Sequence, residues 1–445
     1  MKNKFKFLIF ILSFIYVFIN YSFSSEIFNF DVKEIEIIDN GNRFLGKKGG
    51  TAKTIDGITI SAKNFDYEKI KNILIAIGDV QIYDPVNNLT IYTNKITYNK
   101  NDELIFTKGN SKAVNKEIEI DAKNFKYNRL SNIIDANGDV KVNNKKENYL
   151  IFSDNITYNK NDELIFTKGN SKAINEEIEI DAKNFKYNRL SNVIDANGDV
   201  KVNNKKENYL IFSDNITYNK NDELIFTKGN SKAVSEGILI TGNIFTFDNR
   251  NNILNARDNV KFEDKIEDIF IFTDNVTYNK NINEIYTKGE TESLIQSKYQ
   301  FKSKNVFLNR KTKEFKSNYY STIKDDNSNF YKLSKFLYYY DTKFLKGSDI
   351  EVETNYKKDK SDKFYFKNAF INFSDNSFTS KDTKLEIHNN VFDKEREVNK
   401  NEKNIFLGKN DPRIYGKSSS GNEDVVILNK AIFTSCKKSN NCPAW

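Results

Sequence analysis

The sequence predicts an all-β protein built from stacked repeats, in the manner of an open β-solenoid. The first observation is a 60-residue period, because the block 97–156 returns at 157–216 with only three changes. The second is a local period of two within each block, where apolar and polar residues alternate as they do along a half-buried strand. The third is composition, with 18 glycines that suit tight turns and only three prolines in 445 residues. Stacked repeats grow in one dimension, so we expect an elongated molecule whose function lies along a surface or groove.

The N-terminus has the layout of a signal peptide. Lysines at three of the first six positions precede an apolar run at 7–19. Ser22 and Ser24 then fit the small residues required before a cleavage at Ser25. The run is shorter than the ~20 apolar residues that a membrane span needs. We therefore expect 1–24 to be a cleaved signal peptide and the mature protein to be exported, with a retained N-terminal anchor as the alternative.

Residues 25–50 are expected to form a strand at the edge of the structure. Val32, Ile35 and Ile37 show a short alternation of apolar and polar positions. The Gly49–Gly50 pair predicts a turn, after which the repeats begin.

The repeats occupy 51–300 and consist of half-repeats of about 30 residues, two in each block. We predict that the apolar residues at alternating positions face the interior. In the block 97–156 and the next block these are Ile118, Ile120, Phe125, Tyr127, Val140, Val142, Ile178, Ile180, Phe185, Tyr187, Val200 and Val202. Glycine within Lys108–Asn110, Asn137–Gly138 and Asn197–Gly198 predicts tight hairpin turns, because glycine readily takes positive φ. Each block should then hold about six short strands, each half-repeat closing on an aromatic residue before a polar turn.

Beyond residue 300 the repeat fades but the strand pattern persists. We interpret 301–392 as degenerate β repeats, with strands expected near 363–373 and 384–391. The segment 393–409 is charged and without periodicity, so it is expected to be a linker. A distinct C-terminal segment follows at 410–445.

The repeat motifs resemble those of a known family. Gly-x-Val-x-Val, as at 138–142, is followed by Asp-Asn-Ile-x-Tyr, as at 154–158, and by a closing Lys-Gly, as at 168–169. This combination is similar to the organic-solvent-tolerance (OstA) repeats that periplasmic lipopolysaccharide-transport proteins share. The resemblance implies a twisted, slotted β-jellyroll that carries lipid A acyl chains and joins its neighbour edge to edge. The twelve apolar residues named above thereby become lipid-groove candidates.

The C-terminal segment indicates which of the families that share these repeats the chain resembles. Asp-Pro-Arg at 411–413, an aromatic-Thr-x-Cys at 433–436 and Cys-Pro-Ala-Trp at 442–445 look like the junction at which the lipopolysaccharide-assembly family passes from its periplasmic domain into its β-barrel. The resemblance implies a periplasmic location at the outer membrane of a Gram-negative bacterium. Since the sequence ends where that barrel would begin, we expect a chain truncated before it.

The same resemblance implies the partners. They are lipopolysaccharide, a periplasmic bridge protein of the same fold, and, as further candidates, an outer-membrane barrel segment or a lipoprotein. An unpaired strand edge can accept a strand from a partner, so we expect the bridge protein to contact the N-terminal edge at 32–60. Nucleic acid is not indicated, because no basic helix or arginine cluster occurs. The net charge of +8 fits either an anionic partner or a solvated surface.

The residues argue against catalysis and against a cofactor or metal. His388 is the only histidine, so neither a histidine-based metal cluster nor a Ser-His-Asp triad can form. Carboxylate pairs such as Glu117 and Glu119 recur in each block and suit a solvated face better than a single active site. Cys436 and Cys442 are close enough to form a local disulfide. In the resembled family cysteines instead tie the periplasmic domain to the barrel.

Two other functions remain open at this point. One is a structural or adhesive exported β-solenoid that binds no ligand. The other is a bridge or relay component of the same transport pathway. A lipid carrier needs an open apolar interior, whereas a structural solenoid fills its interior with side chains, so the interior decides between these classes.

Overall fold

The computed structural model describes residues 27–358, 360–388 and 411–435. Nearly every regular element among them is a β-strand, and the helical part is a single 3-10 turn at Asp39–Gly41. The prediction of an all-β protein is therefore confirmed.

Several predicted features lie outside the described residues. These are the signal peptide at 1–24, the charged linker at 393–409, and Cys436 and Cys442. They stay predictions.

The chain divides into two compact units, Met1–Thr167 and Lys168–Trp445, here called unit 1 and unit 2. The strands of unit 1 are β1 (Phe28–Ile38), β2 (Arg43–Thr54), β3 (Thr59–Ala62), β4 (Asn64–Glu68), β5 (Ile73–Asp84), β6 (Leu89–Asn99), β7 (Leu104–Lys108), β8 (Ser111–Val114), β9 (Ile118–Ala122), β10 (Asn124–Asn128), β11 (Ile133–Asn144), β12 (Tyr149–Asn159) and β13 (Leu164–Lys168, which ends one residue past the boundary). The described pairs are antiparallel and link neighbours along the chain, so unit 1 is an up-and-down meander.

The strands of this meander are bent near the middle. In some, such as β5 and β11, the bend lies within one continuous strand. In others it divides the strand into two named pieces, so that β7 and β8 both pair with β6. The limbs on the two sides of the bends form two layers whose inner faces pack together. Phe28 at the start of β1 packs its ring 5.0 Å from that of Tyr67 in β4, on the opposite limb. This arrangement agrees with the predicted jellyroll.

The glycines of the predicted turns lie at these bends and not in hairpin turns, so the predicted turns are corrected. In β11 the pairing with β12 continues from Asn137 to Val140, and the strand runs on through Gly138 and Asp139. These two residues have positive φ, at 82° and 48°. They form a β-bulge, which needs the same left-handed conformation as a tight turn but bends the strand without ending it. The correction also applies to Lys108–Asn110, Asn197–Gly198 and Gly49–Gly50.

At one end of the meander the hairpin turns instead follow an aromatic residue near the end of a limb, as the half-repeat pattern predicts. After Tyr127, the Oδ1 atom of Asn128 accepts a hydrogen bond from the backbone N–H of Ser131 at 3.1 Å. Asn132 then takes a positive φ of 54°. Asparagine favours both features, because its short side chain binds nearby backbone and tolerates the left-handed region.

The N-terminal edge is also corrected in detail. Residues 25–50 hold a hairpin of β1 and β2, not one strand. Among the described residues β1 pairs only with β2, so β1 has a free edge. In contrast, β3 lies between β2 and β5 and has none. The predicted contact edge at 32–60 therefore reduces to β1.

Unit 2 continues with the same kind of bent meander. Its strands are β14 (Ser171–Ile174), β15 (Ile178–Ala182), β16 (Asn184–Asn188), β17 (Val193–Asn204), β18 (Tyr209–Asn219), β19 (Leu224–Ser235), β20 (Ile238–Asp248), β21 (Ile253–Asp264), β22 (Ile269–Asn279), β23 (Glu284–Thr287), β24 (Glu290–Ile295), β25 (Tyr299–Lys304), β26 (Phe307–Asn309), β27 (Glu314–Ser317), β28 (Ser321–Lys324), β29 (Phe330–Leu333), β30 (Lys335–Tyr339), β31 (Phe344–Glu353), β32 (Lys363–Asn372), β33 (Ser377–Glu386), β34 (Arg413–Gly421), β35 (Val426–Asn429) and β36 (Ile432–Thr434). Strands expected near 363–373 and 384–391 appear as β32 and as the end of β33. The β33 strand ends at Glu386, and the residues from 389 on are not described.

Candidate functional site

The twelve apolar residues predicted to face the interior are all buried. Each has at most 5% of its surface exposed. Within unit 1 this group spans 118–142, and within unit 2 it spans 178–202. They belong to the cores of their units, and a role in contacting lipid stays a prediction.

In unit 1 the two layers are fastened together by a cluster that we call the Arg129 clasp. Arg129, which follows β10, directs its Nε atom to Oδ2 of Asp84 at the end of β5, at 3.0 Å. The Asp84 oxygen also accepts the hydroxyl of Tyr127 at 2.9 Å. The guanidinium further contacts Asp56 at 2.8 Å, as well as Glu103. Asp84 is 1% exposed and Arg129 8%, so the clasp is itself part of the core.

The electrostatics of the clasp favour the charged forms. Burial alone would raise the pKa of the Asp84 carboxyl, but hydrogen bonds from Arg129 and Asn87 hold that pKa below its usual value. Burial would lower the pKa of the Arg129 guanidinium, and its bonds to Asp84, Asp56 and their neighbours raise it instead. A buried ion pair survives only when such hydrogen bonds replace the lost water.

Unit 2 contains a second clasp of the same kind. Arg310 donates from Nε to Oδ2 of Asp264 at 2.6 Å, and Asp264 is fully buried. Nearby, Lys313 pairs with Glu267 at 2.5 Å. The sequence analysis missed both clasps, because Asp84 and Arg129 lie 45 residues apart and form no motif.

Elsewhere in unit 2, amide side chains take the place of the arginine–aspartate pair. Asn204 at the end of β17 donates to Oδ1 of Asn249 at 3.1 Å, and the hydroxyl of Tyr209 donates to the same oxygen at 2.8 Å. Beside them lies an apolar cavity of about 40 Å³, lined in part by Ile211, Phe247 and Leu254. This volume has room for a water molecule or so, not for an acyl chain.

A much larger cleft opens farther along unit 2, between limbs of β29, β31, β32 and β33. Its volume is about 530 Å³. Its apolar wall consists of Tyr331, Val352, Phe364, Phe366, Ile371, Phe378, Leu385, Ile387 and Val426. The ring of Phe378 lies 5.8 Å from Phe364 and 5.2 Å from Phe366, measured between centroids. A cleft of this size with aromatic walls falls within the range of small-molecule sites.

The rim of the cleft is polar, and none of the described residues that line it is a lysine or an arginine. It consists of Asn327, Asn329, Thr354, Asn355, Asp362, Asn376, Asn422 and Glu423. Asp362 is held in place by His388, whose backbone N–H and Nδ1 both lie 2.8 Å from its Oδ1 atom. The cleft therefore offers an apolar wall to a hydrocarbon chain and hydrogen-bonding groups to an uncharged polar end.

None of the cleft residues is among the twelve predicted groove residues. The sequence feature that could have pointed to the cleft is the high aromatic content of β32. Phe364 and Phe366 lie on one face of this strand, and Tyr365 between them lies on the other. That pattern indicates a strand with an apolar face. It does not say whether this face meets a second layer or lines a gap.

The described residues contain no group of three or more His, Cys, Asp or Glu side chains placed to hold a metal ion. No helix in the described part of the chain is long and apolar enough to cross a membrane.

Comparison with known proteins finds matches among solved structures. No protein-family model and no curated protein matches the chain. Among solved structures, the chain is similar to LptH, the LptA-homologous periplasmic component of the lipopolysaccharide transport device from Pseudomonas aeruginosa. The identity is 13% and the TM-score 0.17, over 32% of this chain and 83% of that one. The fold assignment consequently rests on the strands and their pairing.

Proposed function

We propose that the protein is a periplasmic lipid-carrying module of lipopolysaccharide transport and assembly at the outer membrane, and that it is not an enzyme. The observation that carries the proposal is the 530 Å³ cleft between the layers of unit 2. The similarity of the repeat motifs to OstA repeats supports the cargo and the location. Within this family the junction-like C-terminal segment favours the lipopolysaccharide-assembly protein, LptD, over a bridge or relay component.

The chemistry of the cleft suits an acyl chain. Phe364, Phe366 and Phe378 offer aromatic surface to hydrocarbon, and transferring such a chain from water contributes about 0.8 kcal/mol per buried CH₂ group. The amide side chains of the rim are placed to meet hydroxyl or amide groups where the chain leaves the cleft. The rim carboxylates Asp362 and Glu423 disfavour a phosphate at this position.

A second candidate function has an observation in its favour. The repeat interiors are filled by buried side chains, and the Arg129 clasp closes the layers of unit 1 over them. A packed interior is what a structural β-solenoid needs. We therefore propose that lipid enters the cleft of unit 2 and that the near-identical blocks act as structural spacers.

Partner docking belongs to the same proposal. The free edge of β1 presents unpaired backbone groups, which a bridge protein of the same fold would extend by strand addition. Ile35 and Ile37 on this strand are 51% and 57% exposed, which leaves apolar surface for such a contact.

Photo-crosslinking tests the lipid site. A photoreactive phenylalanine analogue at Phe378 should crosslink lipopolysaccharide, since this side chain lines the cleft. The matched control is Phe370 on β32, an aromatic that is 42% exposed on the outer face. Crosslinking from Phe370 alone, or from neither position while the protein is folded, would leave the structural solenoid as the better description.

A further inference from the structure

A row of lysine and aromatic side chains crosses the outer face of unit 2. It begins at Lys201 on β17 and ends at Phe272 on β22. Its members stand directly opposite one another on six successive strands: Lys201, Phe212, Lys232, Thr241, Lys261 and Phe272. We call this row the lysine–aromatic stripe. It faces outward, because the residues beside it along each strand, such as Val202, Ile211 and Phe262, are buried.

The lysines of the stripe lack carboxylate partners. None of Lys201, Lys232 and Lys261 forms an ion pair among the described residues of the chain. Asp181 on β15 stands directly opposite Lys201, but its carboxylate lies 3.7 Å from the ammonium of Lys172 instead. Glu263 lies two residues from Lys261 on the same face of β21 and still makes no ion pair with it.

The row of directly opposed residues continues beyond both ends of the stripe, and its other lysines behave differently. Lys302 pairs with Glu292 at 2.6 Å, and Lys332 pairs with Glu351 at 3.0 Å. Lys172 likewise pairs with Glu179. Along this row, the lysines without an ion pair are those of the stripe, and this asymmetry indicates an anionic partner.

The aromatic residues narrow the class of partner. Phe272 is 45% exposed, and the ammonium of Lys261 lies 5.9 Å from its ring centre. Lys232 lies 5.7 Å from the ring of Phe212 in the same way. In both pairs the ammonium lies over the ring, so an apolar ring and a positive charge occupy one spot on the outer face. The apolar face of a sugar ring that carries a carboxylate fits such a pair.

The spacing points to a polymer with sparse charges. Strands lie about 4.8 Å apart, so lysines on alternate strands recur about every 10 Å. A nucleic acid carries a phosphate about every 3.4 Å along each strand, which is far denser than the stripe. We propose that the stripe binds an extended acidic polysaccharide with a carboxylate on about every second sugar. This site lies outside the core and is independent of the proposed lipid cleft.

Binding of defined polymers to the full mature chain tests the proposal. The probe is hyaluronan, which has one carboxylate for every two sugars, with neutral dextran, oligothymidylate and anionic phosphatidylglycerol vesicles as comparisons. We expect hyaluronan to bind in a salt-dependent manner and dextran not to bind. Tighter binding of oligothymidylate or of vesicles, or equal binding of dextran, would overturn the proposal.

Two charge-matched variants locate the site. The stripe variant combines Lys201→Gln, Lys232→Gln and Lys261→Gln, and it should weaken hyaluronan binding by about tenfold or more with a smaller salt dependence. The control variant removes the same net charge from paired positions of the row: Lys172→Gln, Lys302→Gln and Lys332→Gln. It should change affinity by less than about threefold, since those lysines are already neutralised. Equal losses in the two variants would show a general charge effect and refute the site.

A third variant tests how much the two phenylalanines of the stripe contribute to hyaluronan binding. Phe212→Thr with Phe272→Thr keeps strand propensity and net charge. We expect weaker hyaluronan binding with an unchanged salt dependence, because stacking is not ionic. Unchanged affinity would contradict the proposed stacking and with it the sugar polymer as partner. Circular dichroism and thermal unfolding confirm that each variant is folded.

Discussion

Arg129 joins both limbs of unit 1 through one guanidinium. It contacts Asp84 on one limb while it follows β10 on the other. Replacing Arg129 with glutamine leaves the Asp84 carboxylate buried without its cation. Loss of one partner of a buried pair costs about 3–5 kcal/mol. We expect Arg129→Gln to lower the free energy of unfolding by this amount in urea titrations.

The control for this prediction is an exposed pair on the same unit. Arg43 bonds Asp66 at 2.8 Å, with 44% and 30% of the two side chains exposed. Exposed pairs contribute about 0–1 kcal/mol, so Arg43→Gln should change stability little. A similar loss of unfolding free energy in both variants would mean that the Arg129 clasp stabilises the protein no more than an exposed ion pair does.

The clasp also makes unit 1 sensitive to acid. The pKa of Asp84 is lower in the folded protein than its usual value, so the folded state binds the proton less well than the unfolded chain. Its stabilisation is therefore complete above the unfolded pKa of about 3.9 and is lost as the pH falls through the folded pKa. In Arg129→Gln the bonds from Asn87 and Tyr127 remain but the charge of Arg129 is lost, so the pKa of Asp84 rises. The stability difference between the two proteins should thus shrink between pH 7 and pH 3, and a constant difference would exclude Asp84 as the source.

Adjacent residues on β9 test the assignment of faces. Ile120 is 2% exposed, whereas Asp121 points outward toward Lys112. A charge at Ile120 must be buried without a partner, so Ile120→Asp should destabilise by about 4 kcal/mol or more, or prevent folding. Asp121→Asn should stay within about 0.5 kcal/mol. Crosslinking of lipid from Asp121 but not from Ile120 would reverse the two faces.

At the scale of elements, the bends decide how the strands pass between the two layers. Gly138 has a φ of 82°, and an added Cβ would lie 2.7 Å from Cδ of Lys123. An alanine in this conformation costs about 1–2 kcal/mol. We therefore expect Gly138→Ala to lower the thermal midpoint of unfolding, while Asp139→Asn, which keeps a residue that tolerates positive φ, should not. A stabilised alanine variant would show that the bend does not need the left-handed region.

These bends show how far the sequence could lead. Alternation at Ile118 and Ile120 correctly predicts strands and the buried face, because side-chain period is a local property of a strand. The Asn137–Gly138 pair predicts positive φ, but both a hairpin turn and a bulge satisfy it. Only the pairing of Val140 with β12 distinguishes them, and pairing is not a local property. The cleft escaped prediction for a related reason, since the sequence of β32 does not specify the distance to the facing layer.

Proline substitutions can test whether the free edge of β1 binds a partner. Successive backbone N–H groups point to opposite sides of a strand, so one of Ile35 and Glu36 directs its N–H away from β2. Proline at that position removes a donor from the free edge. One of Ile35→Pro and Glu36→Pro should therefore abolish co-purification with a bridge protein of the same fold while thermal unfolding stays close to wild type. Retained co-purification in both variants would rule out this edge as the contact.

At the scale of the whole molecule, the near-identical blocks should be removable. The block 97–156 contains the last three residues of β6, the strands β7 to β11 and the first part of β12, so the chain enters and leaves it in the same phase. These pieces amount to four bent strands, and each bent strand places one limb in each layer. A block therefore adds four limbs to each layer, or about 19 Å along the stack. We expect a variant lacking 97–156 to keep its β-sheet circular dichroism and its cooperative unfolding. A molten or aggregated variant would mean that the blocks are not modular.

The number of lipopolysaccharide molecules bound per chain, determined by native mass spectrometry, tests whether lipid binds in the cleft of unit 2. If it does, the variant lacking 97–156 should bind as many molecules as the full chain. Phe378→Asp should abolish binding, whereas Thr379→Asp, which adds the same charge to the outer face of β33, should not. A stoichiometry that falls with the block and is indifferent to Phe378→Asp would contradict the account and return the lipid site to the repeats.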